Sequence, residues 1–321
     1  MATNLLPVDA VILAGPTASG KTELLDSLFG TGASSWITRL RDTWRTELCS
    51  SEVISADAMQ AYRGMDIGTA KPSKDLLNRL PHHLIDIKDP NEQYTAGEFV
   101  ARADALCTAL SAQGVLPIIC GGTGFYLMNY ICGLPASPPS SPEIRAQVAL
   151  DLERLGPAVL KAELERADPA AAARIHEHDL YRLTRAVEIL RTSGEAPSRF
   201  APSKIARPGR RFLILGVTRS REVLRARIHA RIEAMMQAGL AGEVEGLVSR
   251  GFGPTDPGMQ AIGYREFFEL AGSPLDTIAQ AIELHTSQYA KRQMTFFRAL
   301  PGLRWIEPDP EHLFYALATL A

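Results

Sequence analysis

The chain has 321 residues, 46% of them apolar, and a formal net charge of −2. That length accommodates about two domains of ~150 residues, each with a core of its own. So small a net charge excludes bulk attraction to a polyanion and leaves local clusters as its only source, while the absence of any apolar run near ~20 residues excludes a bilayer-spanning helix.

In chain order, the first β-branched run is "AVILAG" (10–15), and "GPTASGKTELL" after it reads as a loop and the opening turns of a helix. Next, "SSWITRLRDTWRTEL" sets Trp36, Leu40, Trp44 and Leu48 four apart, which predicts an amphipathic helix packed on the core. "EVISAD" (52–57), "HLIDI" (83–87) and "VLPIICGG" (115–122) are further apolar runs bounded by turn residues and followed by helical patterns. Runs of this kind predict strands buried on both faces of a parallel sheet. "GLPASPPSSPEIR" then forms a Pro/Ser linker into helical "AQVALDLERLG", "AVLKAELERA" and "YRLTRAVEILR", with no strand among them. The sheet resumes at "FLILGV" (212–217), after which Leu224, Ile228, Ile232, Met235, Leu240, Val244 and Leu247 make a mostly helical stripe, with Arg227 and Arg231 on the neighbouring face. The expected fold is α/β: a P-loop three-layer core with a mostly parallel sheet, formed by residues 1–135 and 206–321 with C-terminal helices in the second part, plus a smaller all-helical insertion over 136–205.

Charge is clustered. From Tyr181 to Arg231 there are thirteen Lys or Arg against three Glu, a local balance of +10, which predicts either a solvated helical surface or a polyanion contact. Cys49, Cys107, Cys120 and Cys132 stand singly, without a C-x-x-C pair, and the pairs His82-His83 and His176-x-His178 are too close for the usual zinc spacing. A reducing cytoplasm fits this cysteine usage, and no secretory leader is expected.

The segment Gly15-x-x-x-x-Gly20-Lys21-Thr22 has the Walker A pattern, between a predicted strand and a predicted helix. Glycines let successive N–H groups curl inward onto phosphate oxygens, and the helix N-terminus adds partial positive charge. Gly15, Pro16, Thr17, Ala18, Ser19, Gly20, Lys21 and Thr22 are therefore the expected diphosphate-binding residues. Lys21 supplies a point charge, and the Thr22 hydroxyl is expected to reach a Mg²⁺ bridging the phosphates. The loop alone leaves open which molecule carries the phosphates. Because "EVISAD" ends in Asp57, a Walker B carboxylate and a small-molecule kinase remain compatible with these two elements.

Further motifs separate the readings. "SADAMQAYRGMDIGTAKP", "PHHLIDIKDPNEQYTAGEF", "GGTGFYL", "RLTRAVEI", "MQAIGYREF" and "YAKRQMTFFR" follow the loop in that order. Together they resemble the tRNA dimethylallyltransferases, also called tRNA isopentenyltransferases, over nearly the whole chain. The resemblance implies transfer of a five-carbon group from dimethylallyl diphosphate to N6 of the adenine just 3′ of the anticodon, in tRNAs reading codons that begin with U, with release of diphosphate. It also implies that Asp57 is the base taking the N6 proton, that Thr123 lies near the bridging oxygen and reactive carbon, and that Arg231, with Arg227 as the second candidate, neutralises the leaving diphosphate. A helix N-cap is the plain reading of Thr123. Gly121, Gly122 and Gly124 allow close backbone approach beside it.

A stacked base is out of reach of a buried electrophile, so the target nucleotide is expected to flip into the pocket. By the resemblance, Asp57, Ala58, Met59, Gln60 and Thr123 meet it, with Gln260, Gly263, Tyr264 and Arg265 at the entry and Tyr264 offering a stacking face. Arg145, Tyr181, Arg182, Leu183, Thr184, Arg185, Lys291, Arg292 and Gln293 are the implied contacts to the rest of the tRNA anticodon stem-loop, giving the basic segment a purpose. The chain departs from the family in having Ala58 for Ser, Tyr181 for Gln, Phe296 for Trp and a longer segment around Trp36 and Trp44. An adenylate isopentenyltransferase acting on free AMP, ADP or ATP shares the loop and the Asp, and a non-catalytic RNA-binding protein is the third reading. The helical insertion, "MQAIGYR" and "YAKRQMTFFR" favour tRNA. A monomer is expected.

Overall fold

Apolar runs without polar alternation belong where both faces of a strand are covered, and four of the five runs form such strands. The computed structural model describes residues 6–30 and 34–320; residues 1–5, 31–33 and 321 of the expected core lie outside it. Strands β1 (Ala10–Ala14), β2 (Ser50–Ser55), β3 (His82–His83), β4 (Val115–Gly121), β5 (Phe212–Val217) and β6 (Arg304–Ile306) form one sheet in the order β3-β2-β4-β1-β5-β6. Every pairing is parallel. Every residue of β1 and β4 is buried.

The expected strand "HLIDI" contracts to two residues. Leu84 and Asp86 adopt φ of 65° and 55°, a left-handed backbone that ends the ladder, and the chain turns onto the loop after β2, where Ile87 and Lys88 both donate to the Ala61 carbonyl at 2.8 and 2.9 Å. β6 was not foreseen: at three residues, with Arg304 and Trp305 exposed, it carries no apolar run. Gly216 makes room for it, since a Cβ there would lie 2.5 Å from the Trp305 ring.

In the sheet-bearing unit, the helices before the insertion are α1 (Lys21–Phe29), α2 (Ser34–Trp44), α3 (Lys74–Arg79), α4 (Ala96–Ala112) and α5 (Gly124–Cys132). The Trp/Leu repeat forms α2 as far as Trp44; Leu48, expected in the same helix, lies beyond its end, past Arg45 at φ 53°. Leu40 and Trp44 are buried, the Trp44 indole donates to the Leu317 carbonyl at 3.0 Å, and the Arg39 guanidinium lies 4.0 Å from the Phe314 ring centroid. Side chains from one face of the sheet, Val11, Leu13, Val53, Ile118 and Leu215 among them, share a core with residues of α1 and α2. α4 packs on β4 and β2, and its Phe99 stacks on Tyr126 of α5 with centroids 4.9 Å apart.

Contacts divide the chain into Met1–Ile131 with Ile205–Ala321, and Cys132–Lys204, against the expected insertion of 136–205. The second unit contains α6 (Pro142–Leu155), α7 (Pro157–Ala167), α8 (Pro169–Arg174) and α9 (Leu180–Ser193). Side-chain caps from Ser141, Asp168 and Asp179 start α6, α8 and α9, and a Pro opens α6, α7 and α8. Val148, Leu160, Leu164, Leu183 and Val187 form the core of this unit. Arg191 spans Asp151 and Glu163, each at 2.6 Å.

After the insertion come α10 (Arg221–Gln237), α11 (Leu240–Ser249), α12 (Arg265–Glu269), α13 (Leu275–Phe297) and α14 (Pro310–Ala318). The single stripe read from Leu224 to Leu247 is two helices, because Gly239 at φ 93° turns the chain between them. α10 packs on α13.

Candidate active site

The loop between β1 and α1 curls back on itself. Gly20 caps α1 with φ 96°, Ala18 also takes a left-handed φ of 61°, and a Cβ on Gly15 would lie 2.9 Å from the Val217 carbonyl. Lys21 donates to the carbonyls of Gly15 and Pro16 at 2.8 and 3.0 Å. Burial pulls the Lys21 amine down from its ordinary value; Cys120 and Asp57 oppose that shift and Arg231 adds to it. The Ser19 hydroxyl is buried and makes no hydrogen bond among the described residues, so it is a donor awaiting an acceptor.

Three arginines, all but the first on α10, brace the loop from one side. Arg219 donates to the Ser19 carbonyl at 2.9 Å and Arg227 to the Ala18 carbonyl at 2.8 Å, while Arg231 reaches the Thr17 hydroxyl at 3.3 Å. Arg227 is also paired with Glu23 at 2.6 Å. Of the two candidates, Arg231 lines the cavity in front of the loop and Arg227 does not. Burial lowers the Arg231 pKa from its ordinary value, yet the group stays cationic because an arginine starts so far above neutrality.

Asp57 follows the carboxyl end of β2, where open α/β sheets place their ligand-binding residues. Its Oδ1 accepts the backbone N–H groups of Met59 and Gln60 at 3.0 and 3.4 Å, which fixes the carboxylate in an Asx-type turn. Thr123 sits across from it: its amide donates to the Ala56 carbonyl at 3.1 Å and its hydroxyl accepts the Ala58 amide at 3.0 Å. This crossing requires Gly121, since a Cβ there would overlap the Ala56 backbone. Gln293 of α13 ties the same turn to the loop between β1 and α1, accepting the Thr17 amide at 2.9 Å and donating to the Gly122 carbonyl at 2.7 Å.

These groups open onto one cavity of about 460 Å³, lined by Lys21, Thr22, Asp57, Gln60, Thr123 and Arg231. Thr22 is exposed on the first turn of α1. Tyr289, also in the lining, escaped the sequence reading although it sits in the "YAKRQ" string. Its phenol is pushed up to about 12, by burial first and then by Asp57, so it is a hydrogen-bond donor and no base.

Other implied contacts are placed differently. Tyr264 is fully buried and donates to Glu243 at 2.6 Å, so it offers no stacking face; Gly68 lies against its ring. Gln293 is buried in the clamp and Leu183 in the helical unit's core, which leaves neither side chain free for a macromolecule. Gly263, at φ 100°, is buried, and Arg265 pairs with the buried Glu266 at 3.2 Å. Glu266 also accepts from His285 at 2.7 Å; Glu266 has no signal beyond its place in "MQAIGYREF", and His285 lies in none of the quoted strings. Ala58 and Met59 are half-buried, and Gln260 is exposed at the cavity lining. Lys291 and Arg292 are exposed on α13. In the helical unit, Arg145 and Arg182 are exposed and Tyr181 is 80% exposed, while Thr184 bonds back to the Leu180 carbonyl at 2.9 Å. Arg185 is tied to Ser140 and Glu188. The basic segment is thus largely neutralised: besides Arg185, Arg191 and Arg227, Arg207 and Arg210 both pair with Asp104.

The family described as IPP transferase matches residues 60–300. A tRNA dimethylallyltransferase of Geobacter sulfurreducens is 41% identical over 97% of this chain and 95% of its own length, and one of Symbiobacterium thermophilum is 40% identical over 92% and 88%. Among solved structures, the full-length tRNA isopentenylpyrophosphate transferase of Bacillus halodurans superposes with a TM-score of 0.64 at 32% identity, covering 97% of this chain and 94% of that one. A eukaryotic dimethylallyltransferase acting on tRNA gives 0.75 at 25% identity over 93% and 73%. Extended identity of this order, reaching across both units, makes the chain a member of the tRNA dimethylallyltransferase family of prenyltransferases.

Proposed function

We propose that the protein transfers the dimethylallyl group of dimethylallyl diphosphate to N6 of the adenine 3′-adjacent to the anticodon, in tRNAs reading codons that begin with U. The observation carrying this is the shared cavity: a phosphate loop on one side, and Asp57 and Thr123 joined through the Ala56 backbone on the other. In the transfer, the N6 lone pair forms a bond to the allylic carbon as that carbon's bond to the diphosphate oxygen breaks. The lone pair is delocalised into the ring, so Asp57 assists by accepting the N6 proton. Lys21, Arg231 and the Ser19 hydroxyl offset the charge gathering on the departing diphosphate in a site screened from water. Thr123, whose hydroxyl accepts the Ala58 amide and also lies in hydrogen-bond contact with Tyr289, turns its hydrogen toward the bridging oxygen when the diphosphate is bound.

Mg²⁺ belongs to the same reading. Thr22 presents a hydroxyl that makes no protein hydrogen bond among the described residues, and an oxygen donor beside phosphate oxygens suits a hard cation that keeps several waters. When bound, the ion screens the diphosphate charge.

The tRNA would approach with its target nucleotide extruded, through Gln260 and the exposed Lys291 and Arg292. Arg145, Tyr181 and Arg182 are exposed groups of the helical unit suited to phosphates and unstacked bases. No helix among the described residues is long and apolar enough to cross a membrane, and we assign the protein to the cytoplasm as a monomer. Incubation with labelled dimethylallyl diphosphate, Mg²⁺ and either unmodified tRNA or AMP tests the assignment. Label on tRNA at the 3′-adjacent adenine is expected; label on AMP alone, or phosphate transfer from ATP, overturns it.

A further inference from the structure

We infer that Glu243 is a positioning residue for base selection, acting through the backbone of residues 66–70 on the carboxamide of Gln60. The inference rests on the tRNA-prenylation reading and adds to it how an amino purine is chosen.

Glu243 lies on α11, outside every motif discussed above. Its carboxylate accepts three consecutive backbone N–H groups: Asp66 at 2.9 Å, Ile67 at 2.8 and 3.1 Å, and Gly68 at 3.2 Å. The Tyr264 phenol adds a fourth donor at 2.6 Å, and burial together with this carboxylate keeps that phenol protonated. Charge-assisted bonds of this kind are stronger than neutral ones and hold the loop as one rigid turn. Gly68 permits the approach, since a Cβ there would lie 2.5 Å from the Tyr264 ring.

The next two carbonyls of that turn define Gln60. Its Nε2 donates to Thr69 and Ala70 at 3.3 and 3.2 Å, which uses both amide hydrogens, and its Oε1 accepts one bond from the Ser55 hydroxyl at 3.2 Å. Carbonyl oxygens only accept, so the amide is fixed with nitrogen toward the loop and oxygen away from it. Gln60 therefore offers the cavity a single free acceptor lone pair, three residues along from Asp57. An exocyclic amine carries two hydrogens, one for Asp57 to remove and one for Gln60 Oε1 to hold. A purine with a carbonyl at that position would set two acceptors against each other, and a site built around one hydrogen-bonding pattern rejects the group that lacks it.

The test uses the full chain, inorganic diphosphate with Mg²⁺, and anticodon stem-loops carrying adenine or hypoxanthine at the target position, with affinity read by fluorescence anisotropy. The wild type is expected to favour adenine about tenfold, the discrimination one well-aligned base contact gives. Glu243→Ala is expected to bring that ratio within about twofold and to raise KM for RNA more than it lowers kcat, with diphosphate affinity unchanged. Glu243→Gln, which keeps one accepting oxygen, is expected to fall between. If Glu243→Ala does not fold, Tyr264→Phe, which removes one donor to the same carboxylate, serves in its place and should lower the ratio part-way. A variant that binds diphosphate normally and keeps the wild-type ratio overturns the inference, as does equal loss of diphosphate and RNA binding. Failure of the wild type to prenylate any stem-loop would instead overturn the functional reading beneath it.

Discussion

Gln293 and Thr17 stand 276 positions apart in sequence and share a 2.9 Å hydrogen bond, from the phosphate-loop amide to the side-chain carbonyl oxygen. The other end of the same carboxamide holds Gly122, so one buried side chain sets the distance between the proposed diphosphate cradle and the turn bearing Thr123. Gln293→Ala strands a half-buried amide and a buried carbonyl, a cost of about 1–3 kcal/mol. Diphosphate affinity, measured calorimetrically, is expected to weaken about tenfold. Gln293→Glu, which sets a carboxylate oxygen against the Gly122 carbonyl, is expected to be worse than Gln293→Ala.

Asp57 holds a turn and is the proposed base, and substitution can separate the two. Asp57→Asn keeps Oδ1 as acceptor for the Met59 and Gln60 amides while removing the base. Turnover is expected to fall by roughly 10²–10⁴-fold with tRNA affinity mostly retained. Asp57→Ala also loses the turn, so its RNA affinity should fall below that of Asp57→Asn in the same binding assay.

Gly68→Ala is expected to displace Tyr264, whose ring it would meet at 2.5 Å. Overpacking of this sort costs about 1–3 kcal/mol. Chemical denaturation should show the loss, and RNA affinity should fall with it.

Two arginines of α9 should behave in opposite ways. Arg182 is exposed, with Asp179 at 3.5 Å as its pairing partner, so Arg182→Ala is expected to weaken tRNA binding and reduce the salt slope by roughly one, leaving stability unchanged. Arg191, held between Asp151 and Glu163, is expected to do the reverse: Arg191→Ala lowers stability and barely changes the slope. Salt titrations of binding alongside thermal melts separate the two.

Asp168 gives the helical unit a pH dependence. Burial works against its charge, but hydrogen bonds from the Ala171 amide, at 2.9 Å, and the Ser198 amide, at 2.6 Å, outweigh it and hold the carboxyl below the usual range. A depressed folded-state pKa means that the unfolded chain binds the proton more readily. The stabilisation is therefore present above the unfolded value of about 3.9 and is lost as pH falls through the lower folded value. Urea unfolding between pH 6 and about 3 should show this decline, and Asp168→Asn should lack part of it while costing about 1–2 kcal/mol at neutral pH.

That the Gly15–Thr22 loop, Asp57 and Thr123 meet at one cavity was legible in sequence because each lies where a strand meets a turn, and short motifs encode that junction. Four strands and α2 were legible from unbroken or four-spaced apolar residues. β3 was overcalled because left-handed backbone at Leu84 and Asp86, both non-glycine, leaves no compositional trace. Tyr264 and Gln293 were read as surface contacts although both are buried, since a polar side chain looks the same in sequence whether it greets a ligand or bridges two loops. Glu243 was invisible for a related reason: its partners are backbone amides, which any sequence supplies.

The hydrogen of Gly121 has a further consequence. Because Ala56 nests against that bare α-carbon, the backbone separation of residues 57 and 123 is dictated by two crossing main chains. The main chain carrying Asp57 and Thr123, the two side chains proposed to meet the substrates, is thus brought together during folding, before either molecule arrives.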